Sequence, residues 1–224
     1  MTIPEKIIKK LSLDLYPELN SDMIYKLSNE SERGAVLIGT SKIEEYLELF
    51  VKKILPNDSK KYQKKLLQYP GPLSSFSSKI ELLYAFRYIN HQFYVSLNIL
   101  RSIRNNAAHS YIDFDLEEEN QKIEQINEFV DDDLKYVIDE IALDNMVEIK
   151  KKKLIRIYQE KGFKVDDKYI EKAINEFKTT NQKDKQYRIW RLSYGIVFMC
   201  LYILVLIDEN DSLNDKQIIH PIKL

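Results

Sequence analysis

The sequence predicts an all-helical bundle, and three observations carry that prediction. Apolar residues recur at three- and four-residue steps over long stretches, as in Val36, Ile43, Leu47, Phe50 and Ile54. Only 5 Gly and 6 Pro occur in 224 residues, which leaves few places for the sharp turns that short strands require. No run alternates apolar and polar residues in the manner of a half-buried strand. The length suits one domain, able to bury roughly 70% of its unfolded surface without disulfides or a structural metal.

Taken in order, the elements read as follows. Ile3 to Leu11 is a short helix with Pro4 in its first turn, and Ser21 to Ser28 is a second, with Ser21 as its cap. Glu30 to Leu55 is the first long helix, stopped by Pro56. Gly34 and Gly39 lie within it at a cost of about 1 kcal/mol each, which points to a neighbouring helix coming close. Pro70-Gly71-Pro72 is the strongest breaker in the chain. Helices are then expected over about Ser75 to Ile89, over His91 to His109 with Asn90 as a turn or cap, and over about Glu117 to Val130. Leu134 to Tyr158 continues helical, with Gly162 as its stop, and Asp166 or Asp167 caps a short helix to Phe177. A polar link leads to a terminal helix over about Gln186 to Ile207, and the tail from Asp208 reads as irregular.

Residues 1–224 thus form a single all-helical domain. Residues 1–28 are an N-terminal extension, and 131–182 form a charged helical insertion before the C-terminal core helix. Leu192 to Ile207, apolar around its whole circumference, is expected to lie buried between the helices at 30–55 and 91–109. It is shorter than the 18 or more residues that usually span a bilayer, and Ser193 and Gly195 interrupt it. No membrane partner is therefore expected. A tail anchor would be revealed by Tyr194, Phe198 and Tyr202 facing outward. Met1 to Tyr16 has no continuous apolar stretch and no small-residue cleavage site, so a signal peptide is not expected. Cys200, the single cysteine, sits in the apolar run as a small core residue and suits a reducing cytoplasm.

The formal net charge is −1, which gives no global attraction to nucleic acid, but the distribution is uneven. Asp113 to Asp133 carries ten acidic residues against Lys122 alone. Lys150 to Lys172 carries nine basic residues against Glu160, Asp166, Asp167 and Glu171. These are either two solvated helix faces or a basic strip suited to phosphate or an acidic partner. Gly-rich phosphate loops, nucleophile elbows and paired-Cys spacings are absent, and three histidines with one cysteine give few metal ligands. No cofactor and no metal are called for.

One segment stands apart: Arg104-Asn105-Asn106-Ala107-Ala108-His109. On a helix Asn105 and His109, four apart, share a face, so the amide can orient the imidazole. Arg104 and His109, five apart, are separated by about 140° and converge only if the helix end deviates or a second copy joins. Ala107 and Ala108 leave that surface thin. An imidazole can serve as general base on a ribose hydroxyl, and a guanidinium can stabilise charge developing on phosphate. The same Arg and His can equally be tied into hydrogen bonds that hold two helices together.

These segments also carry a resemblance. Ser31-Glu32-Arg33-Gly34-Ala35-Val36-Leu37-Ile38-Gly39 followed by Glu44-Glu45-Tyr46-Leu47 resembles the first core helix of the mannitol operon repressor family. Gly71 to Ile80 is similar to that family's glycine-proline-leucine helix start. Leu100 to His109 resembles its third signature, and Tyr187-Arg188-Ile189-Trp190-Arg191 opens a similar terminal helix. The likeness covers roughly 30–130 and 186–207. It implies a helical bundle with a regulatory role and no recognisable DNA-reading element; no basic recognition helix occurs here. The Arg-Asn-x-x-x-His spacing is also similar to the HEPN superfamily of helical ribonucleases, toxins and phage-defence proteins. That resemblance implies a composite site across a dimer, with Arg104, Asn105 and His109 as its catalytic residues.

Two readings follow. The leading one is a cytoplasmic regulatory protein, homodimeric, acting through protein partners in transcriptional control or in stress and phage response. The alternative is a metal-independent endoribonuclease with His109 as base, Arg104 as phosphate clamp, Asn105 as orienter and RNA as partner. The second requires Arg104 and His109 near a solvent-accessible cleft; burial of both in hydrogen bonds favours a scaffold.

Overall fold

The computed structural model describes residues 21–55, 60–110, 114–162, 167–180 and 185–214. Among them the chain forms nine α-helices and no strand: α1 (Ser21–Ser28), α2 (Glu32–Ile54), α3 (Lys60–Leu67), α4 (Phe76–Ala85), α5 (His91–His109), α6 (Asn120–Gln125), α7 (Asp132–Glu160), α8 (Asp167–Thr180) and α9 (Lys185–Asn214). The short helix expected over Ile3 to Leu11 lies outside the described residues.

Side chains fix the starts of four helices. Ser31 Oγ accepts from Gly34 N, Ser75 Oγ from Ser78 N, Asn90 Oδ1 from Phe93 N and Asp131 Oδ1 from Leu134 N. Each satisfies a backbone donor left over by helix geometry and stabilises its helix by about 1 kcal/mol. Ser21, expected as a cap, is instead the first residue of α1. Gly162 ends α7 as expected, at φ 71°, with its N–H on the Gln159 carbonyl.

α2 is the axis of the fold. α9 runs parallel to it, held by Lys185–Glu32 (3.2 Å) at one end and Lys53–Asp211 (3.0 Å) at the other. α5 runs antiparallel on another side. Arg33 of α2 reaches the Ser110 carbonyl just past the end of α5, while Phe50 meets Tyr88 just before its start. The core is built from Val36, Ile43, Leu47 and Phe50 of α2, Phe93, Leu97 and Ile103 of α5, and the apolar length of α9. Burying each such side chain contributes roughly 1.5–3 kcal/mol.

α9 is long and apolar enough to cross a membrane, yet its most apolar stretch is 89% buried within the fold. Tyr194, Phe198 and Tyr202 are all buried, so the outward face that a tail anchor needs is missing from this helix. Its surroundings differ from expectation in one respect. α9 packs chiefly on α2, α7 and α1. α5 meets α9 through its start, where Phe93 and Phe129 surround the Tyr202 ring and Asn90 donates to Tyr202 Oη.

Close approach of α2 and α9 depends on Gly39. A Cβ there would collide with Ile196 Cδ1, so only glycine fits the present packing. Gly34 has no such neighbour; it faces Glu30 and Ser31 at the helix start.

Three boundaries depart from expectation, each for a tertiary reason. α4 stops at Ala85 because Arg87 adopts φ 61° and the Tyr88 N–H turns back to the Leu83 carbonyl, which drops Ile89 into the core. The helix expected over Glu117 to Val130 shrinks to α6, flanked by turns that bring Leu116, Ile126 and Phe129 to the core alongside Ile123. The tail remains helical to Asn214, its last turns tied to α2 by Lys53–Asp211. Of the residues expected as an insertion, the first half of α7 packs into the core through Leu134, Ile138, Ala142 and Met146. Arg191 binds both Asp139 oxygens there, at 2.5 and 2.9 Å. Beyond Met146 no α7 residue is buried, and α8 folds back on this part of α7 as a helical hairpin, with Tyr158 against Tyr169.

Candidate functional site

α5 carries all three candidate residues, and its C-terminal turn is their setting. The helix is regular to His109, where the Ser110 N–H caps it on the Asn106 carbonyl at 2.9 Å. Arg104 is half-buried, and Asn105 and His109 are exposed. Among the described residues none of the three side chains has a hydrogen bond or ion pair. The alternative in which Arg104 and His109 fasten two helices together therefore has no support in the fold.

Three details refine the expected site. Asn105 does not hydrogen-bond His109, although both are exposed. The amide that is held is its neighbour: Asn106 Nδ2 donates to Glu119 Oε1 at 2.6 Å, and Lys122 pairs with Glu119 Oε2 at 2.7 Å. Ala107 is fully buried and belongs to the core, so Ala108 alone gives the thin exposed surface. Because the helix does not deviate before His109, the five-residue spacing keeps the Arg104 and His109 side chains apart within one chain.

The fold adds basic groups that no local pattern in the sequence links to this segment. Arg33, 77 positions away, donates to the Ser110 carbonyl at 3.1 Å. Arg188, which is buried, faces Asp115 at 3.7 Å and Glu117 at 3.5 Å. Arg33 and Arg188 both fall within segments that carry the family resemblance, which was their only signal in the sequence. Metal chemistry finds no ready ligand set: among the described residues no three His, Cys, Asp or Glu side chains come together.

No protein-family model, curated protein or solved structure matches this chain. The likeness to the mannitol operon repressor family and to the HEPN superfamily stands on the motifs alone. What the geometry offers chemically is an exposed imidazole and a half-exposed guanidinium, both without intramolecular partners, at one end of a rigid helix. Such a pair can accept a hydroxyl proton and bind a phosphate, provided a second surface brings them to one substrate.

Proposed function

We propose that the chain is a metal-independent endoribonuclease of the toxin or defence type, with Arg104, Asn105 and His109 completed as a site by a second copy. The observation that carries this reading is the exposure of Arg104 and His109 without any partner among the described residues. A guanidinium and an imidazole left without protein partners at the surface are available to a ligand. His109 takes the proton from a ribose 2′-hydroxyl, and the 2′-oxygen attacks the adjacent phosphorus. The bond from phosphorus to the 5′-oxygen breaks, leaving a 2′,3′-cyclic phosphate. The departing 5′-oxygen takes a proton from water, while Arg104 balances charge on the non-bridging oxygens. Asn105, on the same face as His109, serves to orient substrate.

Incubation of the protein with total RNA in excess EDTA tests this directly. Cleavage to 2′,3′-cyclic ends that disappears in the Arg104→Ala/His109→Ala variant is the expected result. Cleavage that survives the double substitution, or no cleavage by the wild type at any concentration, overturns it. Light scattering adds the quaternary arm: wild type at twice the monomer mass, with Ala108→Glu monomeric and inactive together.

A second reading is a cytoplasmic regulator working through a protein partner, and the α7–α8 hairpin favours it. That hairpin exposes Ile149, Ile157 and Tyr169 among Lys150, Lys151, Lys152 and Lys153. Charge reversal of those four lysines should weaken capture of the partner, and more so at low salt.

A further inference from the structure

The far end of α2 holds a second constellation, unrelated to Arg104 and His109. α3 carries Lys60, Lys61, Lys64 and Lys65 in eight residues, with no acidic residue among them. Lys60 and Lys64, one turn apart, line a cleft of about 250 Å³ between α2 and α3, with Lys52 on its other wall. The single acid in that lining, Glu48, is already engaged by Lys52 at 2.7 Å and by the buried Lys79 at 3.5 Å. Lys60, Lys61, Lys64 and Lys65 have no ion pair or hydrogen bond among the described residues. Four uncompensated ammonium groups on two turns repel one another, and an anion relieves that repulsion.

The anion has to be an extended one. Lys61 and Lys65 lie outside the cleft, so the positive charge continues along the helix past the space a single phosphate would fill. Aromatic surface accompanies the charge. Tyr62 is 56% exposed, and Tyr69, two residues past the end of α3, is 91% exposed. Tyr69 precedes a turn pinned to α3, in which Gly71 N–H donates to Gln68 O and Leu73 N–H to Leu66 O. α3 itself is anchored by the buried Leu67. The ring is thus presented to solvent by a fixed backbone. Lysines that follow a phosphate backbone beside aromatic faces that stack on bases are the composition of a single-strand nucleic-acid surface. The α7–α8 hairpin, though as basic, differs: Lys152, Arg156 and Lys172 are partnered by Glu148, Glu160 and Glu176 within their own helices.

We infer that α3, with Tyr69, is a binding surface for single-stranded RNA, its phosphates seated on Lys60 and Lys64 and a base stacked on Tyr69. This deepens the ribonuclease reading by giving it a substrate anchor about 30 Å from His109 along α2, the rise from Arg33 to Lys52 at 1.5 Å per residue. It is nonetheless separable from that reading, because it concerns binding and not cleavage.

The test is fluorescence anisotropy with a labelled 2′-O-methyl oligouridine of about twelve nucleotides, long enough for such a surface. The full chain is used in EDTA. The methylated strand has no free 2′-hydroxyl, so the assay reads binding whether or not the protein cleaves RNA. Wild type should bind, with affinity falling steeply between about 50 and 200 mM salt. Lys60→Glu/Lys64→Glu should weaken binding at least about tenfold and flatten the salt dependence. Tyr69→Ala should weaken it about fivefold or more at unchanged salt slope. All three positions are exposed, and circular dichroism will confirm that each variant is folded. The hairpin variant Lys151→Glu/Lys153→Glu should bind like wild type. The inference is overturned if wild type fails to bind at low salt, if the hairpin variant loses as much as the α3 variant, or if an RNA duplex binds equally well. Competition by inorganic phosphate as effective as by the oligonucleotide, meaning a small-anion site, also overturns it.

Discussion

The guanidinium of Arg33 donates to the backbone carbonyl of Ser110 at 3.1 Å, joining the start of α2 to the end of α5. That carbonyl belongs to the residue after His109, so the bond restrains the helix end on which the imidazole is carried.

Arg33→Ala should therefore cost about 1.5–3 kcal/mol, the ordinary worth of a hydrogen bond from a charged donor. Urea unfolding measures the total. Hydrogen exchange locates it: amides of the last α5 turn should exchange faster, while those near Phe93 stay as protected as in wild type. Uniform loss of protection along α5 would mean that Arg33 does not act at this helix end.

Glu48 gives a prediction in pH. Burial works to raise its pKa, but hydrogen bonds and charge from Lys52 and Lys79 outweigh burial and hold it below the ordinary 4.5. A carboxyl lowered on folding adds stability that is fully present above its unfolded value and is lost as pH falls through the folded one. Unfolding midpoints should thus drop between pH 6 and pH 3 by more in wild type than in Glu48→Gln. Parallel acid limbs for the two proteins would remove Glu48 from the account.

Gly39 sets how closely α2 and α9 approach. Gly39→Ala gains up to about 1 kcal/mol of helix propensity, yet overpacking against Ile196 costs about 1–3 kcal/mol, so a net loss of about 1 kcal/mol is expected. Ile196→Val alone should cost about 1 kcal/mol. Because it removes the Cδ1 that the new methyl would strike, the double variant should be more stable than the sum of the two single losses. Additivity within about 0.5 kcal/mol would show that the contact is not the cause.

Much of the fold could be read directly. Asn90 before a periodic run and His109 at its end marked α5 at both limits, because cap chemistry and hydrophobic period act within a few residues. The same local signals marked α2, the start of α4 and the glycine that ends α7. The apolar circumference of α9 foretold its burial. At the candidate site, the spacing alone told that Arg104 and His109 diverge on one helix, since rotation per residue is a property of the backbone.

What lay beyond reach depended on distant partners. Lys79 sits at 2% exposure between Glu44 and Glu48, and nothing within its own helix distinguishes it from a surface lysine. Asn106, not Asn105, became the anchored amide because Glu119 comes to it from another element. Ala107 and Ala108 are adjacent and alike, and only packing made one core and the other surface. Arg87 at positive φ shortened α4 so that Ile89 could be buried, and Lys53–Asp211 accompanied a helix that outlasted its apolar run. The sequence by itself determined the long helices, several of their caps and the chemistry available on each, but not α3 or the limits of α6. The tertiary structure decided which charges were compensated and which stayed open to solvent, because compensation depends on distances between residues far apart in the chain.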